Sequence, residues 1–111
     1  MIEKIVYEYL KNALGVGVYM QRPEKDPKEF VLIEKTGSGK TNRVNYATFA
    51  FQSYAKTLAN AALLNESVKE AAEAMVELPE IGSVKLNSDY NFTDTASKQY
   101  RYQAVFLITH V

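Results

Sequence analysis

The sequence predicts an α+β domain: a small, mainly antiparallel sheet with two helices, in the order α-β-β-β-α-β-β. Three observations lead there. The stretch from Ser53 to Leu78 is the longest with helical periodicity, since Ala55, Leu58, Ala61, Ala62, Val68, Ala71, Ala72 and Met75 recur at spacings of three and four. A shorter helical pattern opens the chain. The remaining segments alternate or run apolar over strand lengths and are rich in aromatic and β-branched residues. The stripe on the long helix is narrow and alanine-rich, which lets it lie close against a sheet.

In chain order, Ile2, Ile5, Val6, Tyr9, Leu10 and Ala13 form one helical face, with Glu3 near the start and Lys11 near the end, as the helix dipole favours. Gly15 and Gly17 stop that helix, and Val16 to Met20 make a short strand. Gln21 to Lys28, with Pro23 and Pro27, is a surface loop. Phe30 to Ile33 and Val44 to Ala55 are strands, joined by a hairpin connection through Gly37, Ser38, Gly39, Lys40, Thr41, Asn42 and Arg43. Within the second of these strands the apolar positions change phase: Val44 and Tyr46 share one face, and Ala47, Phe49 and Phe51 the other. That predicts a bulge there or a strand covered on both sides. The long helix admits a break at Leu64-Asn65, because Asn is a good N-cap. Pro79 and Gly82 end it. Val84, Leu86, Tyr90 and Phe92 alternate with polar residues as a strand with one wet face, Asp94 to Lys98 turns the chain, and Tyr100 to Ile108 is the last strand.

At 111 residues, residues 1–111 make one domain, large enough to bury a core without staples. There are no cysteines, so disulfides and thiolate metal sites are excluded. Thirteen basic residues balance thirteen acidic ones, which removes the field that draws proteins to nucleic acid or anionic membranes and favours self-association. No apolar run approaches the roughly 20 residues of a membrane span, and the first residues lack a signal peptide's pattern, so the chain is expected to stay in the cytosol where it is made.

No motif carries chemistry. Gly37-Ser38-Gly39-Lys40-Thr41 shares its tail with a phosphate-binding P-loop, but the full pattern needs glycine where this chain has Glu34, and a strand-like segment follows where a helix is required. His110 is the single histidine and has no metal-ligand or nucleophile partners at a telling spacing. Asp89, Asp94 and Glu80 read as turn and capping carboxylates. Eight tyrosines without a basic groove form cross-strand pairs more readily than a base-stacking platform. Neither a catalytic residue nor a cofactor or metal site is expected. One oddity remains: Val105 and Leu107 make the last strand apolar on its second face, and Phe49 with Phe51 point to the same on another strand. Either the first helix covers that face, or it is an interface with another subunit.

Three phrases carry a resemblance: Phe30-Val31-Leu32-Ile33-Glu34-Lys35-Thr36-Gly37, Ala50-Phe51-Gln52-Ser53-Tyr54-Ala55, and Leu86-Asn87-Ser88-Asp89-Tyr90-Asn91-Phe92-Thr93-Asp94 followed by Tyr100-Arg101-Tyr102-Gln103-Ala104-Val105-Phe106. Together they resemble small phage and prophage tail terminator, or tail completion, proteins of Gram-positive bacteria. The resemblance implies a virion structural protein rather than an enzyme. Such a protein forms a ring, usually hexameric, in the tail or neck, assembled in the host cytoplasm. It caps the tail tube, stops its elongation and joins the tube to the head connector. The implied partners are further copies of the chain, the tail tube protein and a head-tail connector or neck protein. No membrane and no sequence-specific nucleic acid are implied, although DNA passes through such a lumen. On this reading Phe49, Phe51, Val105 and Leu107 are candidate subunit contacts, Gly37 to Arg43 is a candidate lumen or docking loop, and Gln21 to Lys28 is a second docking loop. Two other classes stand beside it: a monomeric or dimeric tail-assembly chaperone or other small binding module, and a nucleotide-dependent enzyme built on the glycine-rich run.

Overall fold

In the computed structural model, which describes residues 1–111, helix α1 (Ile2–Ala13) leads into a short strand β1 (Gly17–Tyr19). Two long strands follow, β2 (Phe30–Thr41) and β3 (Val44–Ala55). Then come helix α2 (Leu58–Ala74), a single 3₁₀ turn (Met75–Glu77), and strands β4 (Ile81–Asn91) and β5 (Tyr100–His110). The five strands form one sheet in the order β1-β2-β3-β5-β4. Every pairing is antiparallel except β1 with β2. The fold class and element order therefore agree with the sequence reading. Strands of 12 residues at about 3.3 Å each reach about 40 Å, close to the longest dimension of 43 Å.

Both helices pack on the same face of the sheet. Ile2, Val6 and Leu10 of α1 and Leu64, Val68 and Ala72 of α2 share one core with Val31, Ile33, Ala47, Phe49, Phe51, Ala104, Phe106 and Ile108. The alanines let α2 approach closely, so the large core volume comes from the sheet. Phe49, Phe51 and Phe106 are fully buried, with ring centroids 5.7–5.9 Å apart along the series. No helix is long and apolar enough to cross a membrane.

Several boundaries differ from the sequence reading. The long helix does not begin at Ser53, because Ser53, Tyr54 and Ala55 finish β3; the N-cap is Thr57, whose hydroxyl accepts the Asn60 amide at 3.1 Å. There is no break at Leu64-Asn65. Asn65 is buried in mid-helix and donates to Asp89 on β4 at 3.3 Å, so a tertiary partner takes the side chain that a cap would have used. β3 carries no bulge. Its residues alternate without interruption, and the irregularity lies across the ladder in β2, between Lys35 and Gly37. β4, read as one uninterrupted alternation, has register shifts at Ile81/Ser83 and Leu86/Ser88. The second shift moves Tyr90 and Phe92 to the face opposite Val84.

The connection through Gly37 to Arg43 is also shorter than expected. β2 runs to Thr41 and β3 starts at Val44, so the turn is Asn42-Arg43 alone, with φ of 51° and 66°. Two successive left-handed residues make the tight hairpin turn whose twist matches its strands, and its second position favours glycine. Arg43→Gly is accordingly expected to stabilise the protein by about 0.5–1 kcal/mol, read as a rise in thermal midpoint. A fall would mean that the Arg43 side chain makes contacts outweighing its strain.

Candidate interaction surface

With both helices on one face, the other face of the sheet has no helix over it. Strand parity and cross-strand register fix what it presents. β2 offers Phe30, Leu32 and Glu34; β3 offers Tyr54, Gln52, Ala50 and Thr48; β5 offers Arg101, Gln103, Val105 and Leu107; and β4 offers Tyr90, Ser88 and Lys85. These form cross-strand rows, of which Glu34-Ala50-Val105-Ser88 is one and Leu32-Gln52-Gln103-Tyr90 the next.

The lower part of this face is closed by the protein itself. Gln21 to Lys28 does not stand free as a docking loop along its length: Arg22 folds back, with its guanidinium 4.8 Å from the Tyr54 ring centroid and 5.7 Å from that of Phe30. Those two rings stack at 4.5 Å and 5°. Asp26 accepts both Arg22 bonds, at 3.1 and 2.5 Å, which holds its carboxyl below its ordinary pKa. Next to the stack lies a chain of polar side chains. Arg101 donates to the Tyr54 hydroxyl at 2.9 Å, Tyr54 to Gln52 at 3.1 Å, Gln52 to Gln103 at 2.8 Å, and Gln103 to the Tyr90 hydroxyl at 2.5 Å. Gln52 and Gln103 are buried in the sheet surface, so each bond stands in for water that the packing has removed.

The upper part is open and mainly apolar. Leu107 is 38% exposed, Val105 and Leu32 are partly exposed, and Ala50 lies beneath them. Glu34 on β2 and Lys85 on β4 flank this patch with opposite charges.

The four candidate subunit contacts are thus split by the sheet. Val105 and Leu107 lie on the open face. Phe49 and Phe51 do not, since both are 0% exposed beneath the helices; their parity puts them with Phe106 in the core, and they are withdrawn as contacts of a folded subunit. Gly37 to Arg43 is not a loop but the tip of the β2–β3 hairpin. Ser38, Gly39, Lys40 and Thr41 are in register with Ala47, Tyr46, Asn45 and Val44. At Gly39 the hydroxyl end of the Tyr46 ring lies where a Cβ would be, so a larger residue there would have to displace that ring. This run sits in a strand ladder and does not open a helix, so it lacks the N-terminal amides of a phosphate-binding loop. The tip is exposed from Thr41 to Val44.

The sequence reading passed over Gln52, Gln103, Tyr54 and Arg101. The available signal was a glutamine at the edge of each apolar run, Gln52 after Phe49-Ala50-Phe51 and Gln103 before Ala104-Val105-Phe106; only the register shows that the two pair. His110 lies at the end of β5 with Nδ1 2.9 Å from the Val111 carbonyl oxygen. No three His, Asp or Glu side chains come together in a way that would hold a metal ion. Asp94 closes its own turn, accepting from the Ala96 amide at 3.1 Å and the Ser97 hydroxyl at 2.8 Å. No protein-family model matches the chain, and no curated protein matches it.

Proposed function

We propose that this chain is a phage tail terminator, or tail completion, protein. In this reading it forms a ring, hexameric as the resemblance implies, that caps the tail tube, stops its elongation and joins it to the head connector. The observation that carries the reading is the uncovered sheet face. A two-helix domain of this size has no second layer for Leu32, Val105 and Leu107, and a neighbouring subunit supplies one. The flanking Glu34 and Lys85 give such a contact an orientation, because each charge needs its opposite across the interface. The exposed hairpin tip reaches away from the core toward the lumen or an adjoining ring.

The mechanism is physical. Modest contacts that close into a ring gain avidity that no single pair has. A ring with one face matched to the last tube ring, and another that accepts no further tube subunit, ends growth by mismatch. Light scattering after size exclusion, run across protein concentration with negative-stain images of the same fractions, tests this. Rings, or a molar mass climbing toward six chains, are the expected result. A monomer at all concentrations that also fails to add to purified tail tubes would transfer the lead to a small chaperone or binding module.

A further inference from the structure

Three lysines that join none of the chain's ion pairs converge on one concavity. Each comes from a different connection. Lys28 lies in the loop before β2, Lys56 between β3 and the cap of α2, and Lys98 in the turn between β4 and β5. The hollow has a volume of about 110 Å³, with Tyr54 and Gln99 also in its wall. Asp26 is the one acid there, and both of its oxygens are taken by Arg22. In a chain whose formal charge sums to zero, three unpaired cations around one hollow are a local concentration rather than general basicity.

The segments that carry them are already held. The β4–β5 turn is closed by reciprocal backbone bonds between Asp94 and Gln99 and by the Asp94 side chain. Lys56 is fixed between the last residue of β3 and the Thr57 cap. The loop before β2 is pinned by Arg22 on Asp26 and on the Tyr54 ring. A ligand here would not have to order a loop, which is one of the larger costs of binding.

We propose that this concavity binds a terminal phosphate group, as inorganic phosphate or a phosphate monoester. Lysine ammoniums act as point charges and suit a compact, multiply charged oxyanion, whereas a planar carboxylate is better matched by the arginine fork, which here is already engaged by Asp26. The hollow is too small for a base and sugar, so they would remain outside. A phosphodiester carries a single charge and an ester substituent on either side, and it fits less well. The site lies at the opposite end of β3 from the hairpin tip and does not depend on ring formation.

The test is titration of the full-length protein with inorganic phosphate at low, constant ionic strength, followed by amide chemical shifts. Saturable shifts are expected at Lys28, Lys56, Lys98 and Gln99. Each single Lys→Gln change should weaken binding about fivefold, an effect that salt diminishes, and K28Q/K56Q/K98Q together should abolish it. Lys4→Gln, on α1, should leave it unchanged. A nucleoside monophosphate should bind like phosphate, while a blunt duplex DNA without terminal phosphates should not shift these amides. The proposal is overturned if phosphate gives no saturable shifts, if the triple variant binds normally while its spectrum stays dispersed, or if only the duplex shifts these residues. Because the three lysines are exposed, the variants should fold, and the same spectra report it.

Discussion

Phe51→Ala is expected to lower the unfolding free energy by about 3–5 kcal/mol, which against the 5–15 kcal/mol typical of a domain leaves a protein near the edge of folding. The ring is 0% exposed in the middle strand of the helix-covered face, between Phe49 and Phe106. Its cross-strand neighbours are Ile33 on β2 and Ala104 on β5. Ala104 is too small to close the gap, and Phe49 is held by its own place in the core, so much of the cavity should persist. Phe51→Leu refills part of that volume and should cost distinctly less. Urea denaturation followed by circular dichroism reads both. A loss below about 1 kcal/mol for the alanine variant would mean that Phe51 is not a core residue and would return it to the set of candidate subunit contacts.

How far such placements can be read from sequence depends on which physical constraint is local. Helix α1 and the last strand were legible because a single period covers each, with Ile2, Val6 and Leu10 inside the helix and Ala104, Phe106 and Ile108 inside the strand. The face of Phe49 and Phe51 was not legible. Alternation shows that they lie together, but which side the helices take is decided by long-range packing. β3 is buried on both sides toward Ala55, because there its second face, carrying Gln52 and Tyr54, lies under Arg22 and against Phe30 and Gln103. The two glycines at 37 and 39 suggested a loop, yet Gly37 stands beside the β2 irregularity and Gly39 beneath Tyr46. The turn itself fell to Asn42-Arg43, whose positive φ values are an unfavoured choice for the arginine. The phase change at Leu86/Ser88 was invisible because a bulge preserves composition while reversing direction. The phosphate-sized hollow had no sequence signal either, since Lys28, Lys56 and Lys98 meet only when three connections come to one end of the sheet.

Val105→Lys combined with Leu107→Lys is expected to abolish assembly while leaving a folded monomer, the opposite outcome to Phe51→Ala. Both positions lie on the open face of β5, where a lysine can lay its aliphatic stem along the sheet and keep its charge in water. The cost to folding should therefore stay within about 1 kcal/mol at each position, the span of strand preferences. In an interface the same two lysines would stand against apolar surface and beside Lys85 of their own chain, adding unpaired buried charge that a modest contact cannot offset. Light scattering should then report a monomer at concentrations where the proposed reading has the unchanged protein in rings, with matching far-ultraviolet spectra and a denaturation midpoint that is lowered but leaves the variant folded. If the double variant instead unfolds or aggregates, Val105 and Leu107 are holding the subunit together rather than joining subunits. If it still assembles, the ring closes through another surface, and the unpaired outer edge of β4 becomes the next place to look.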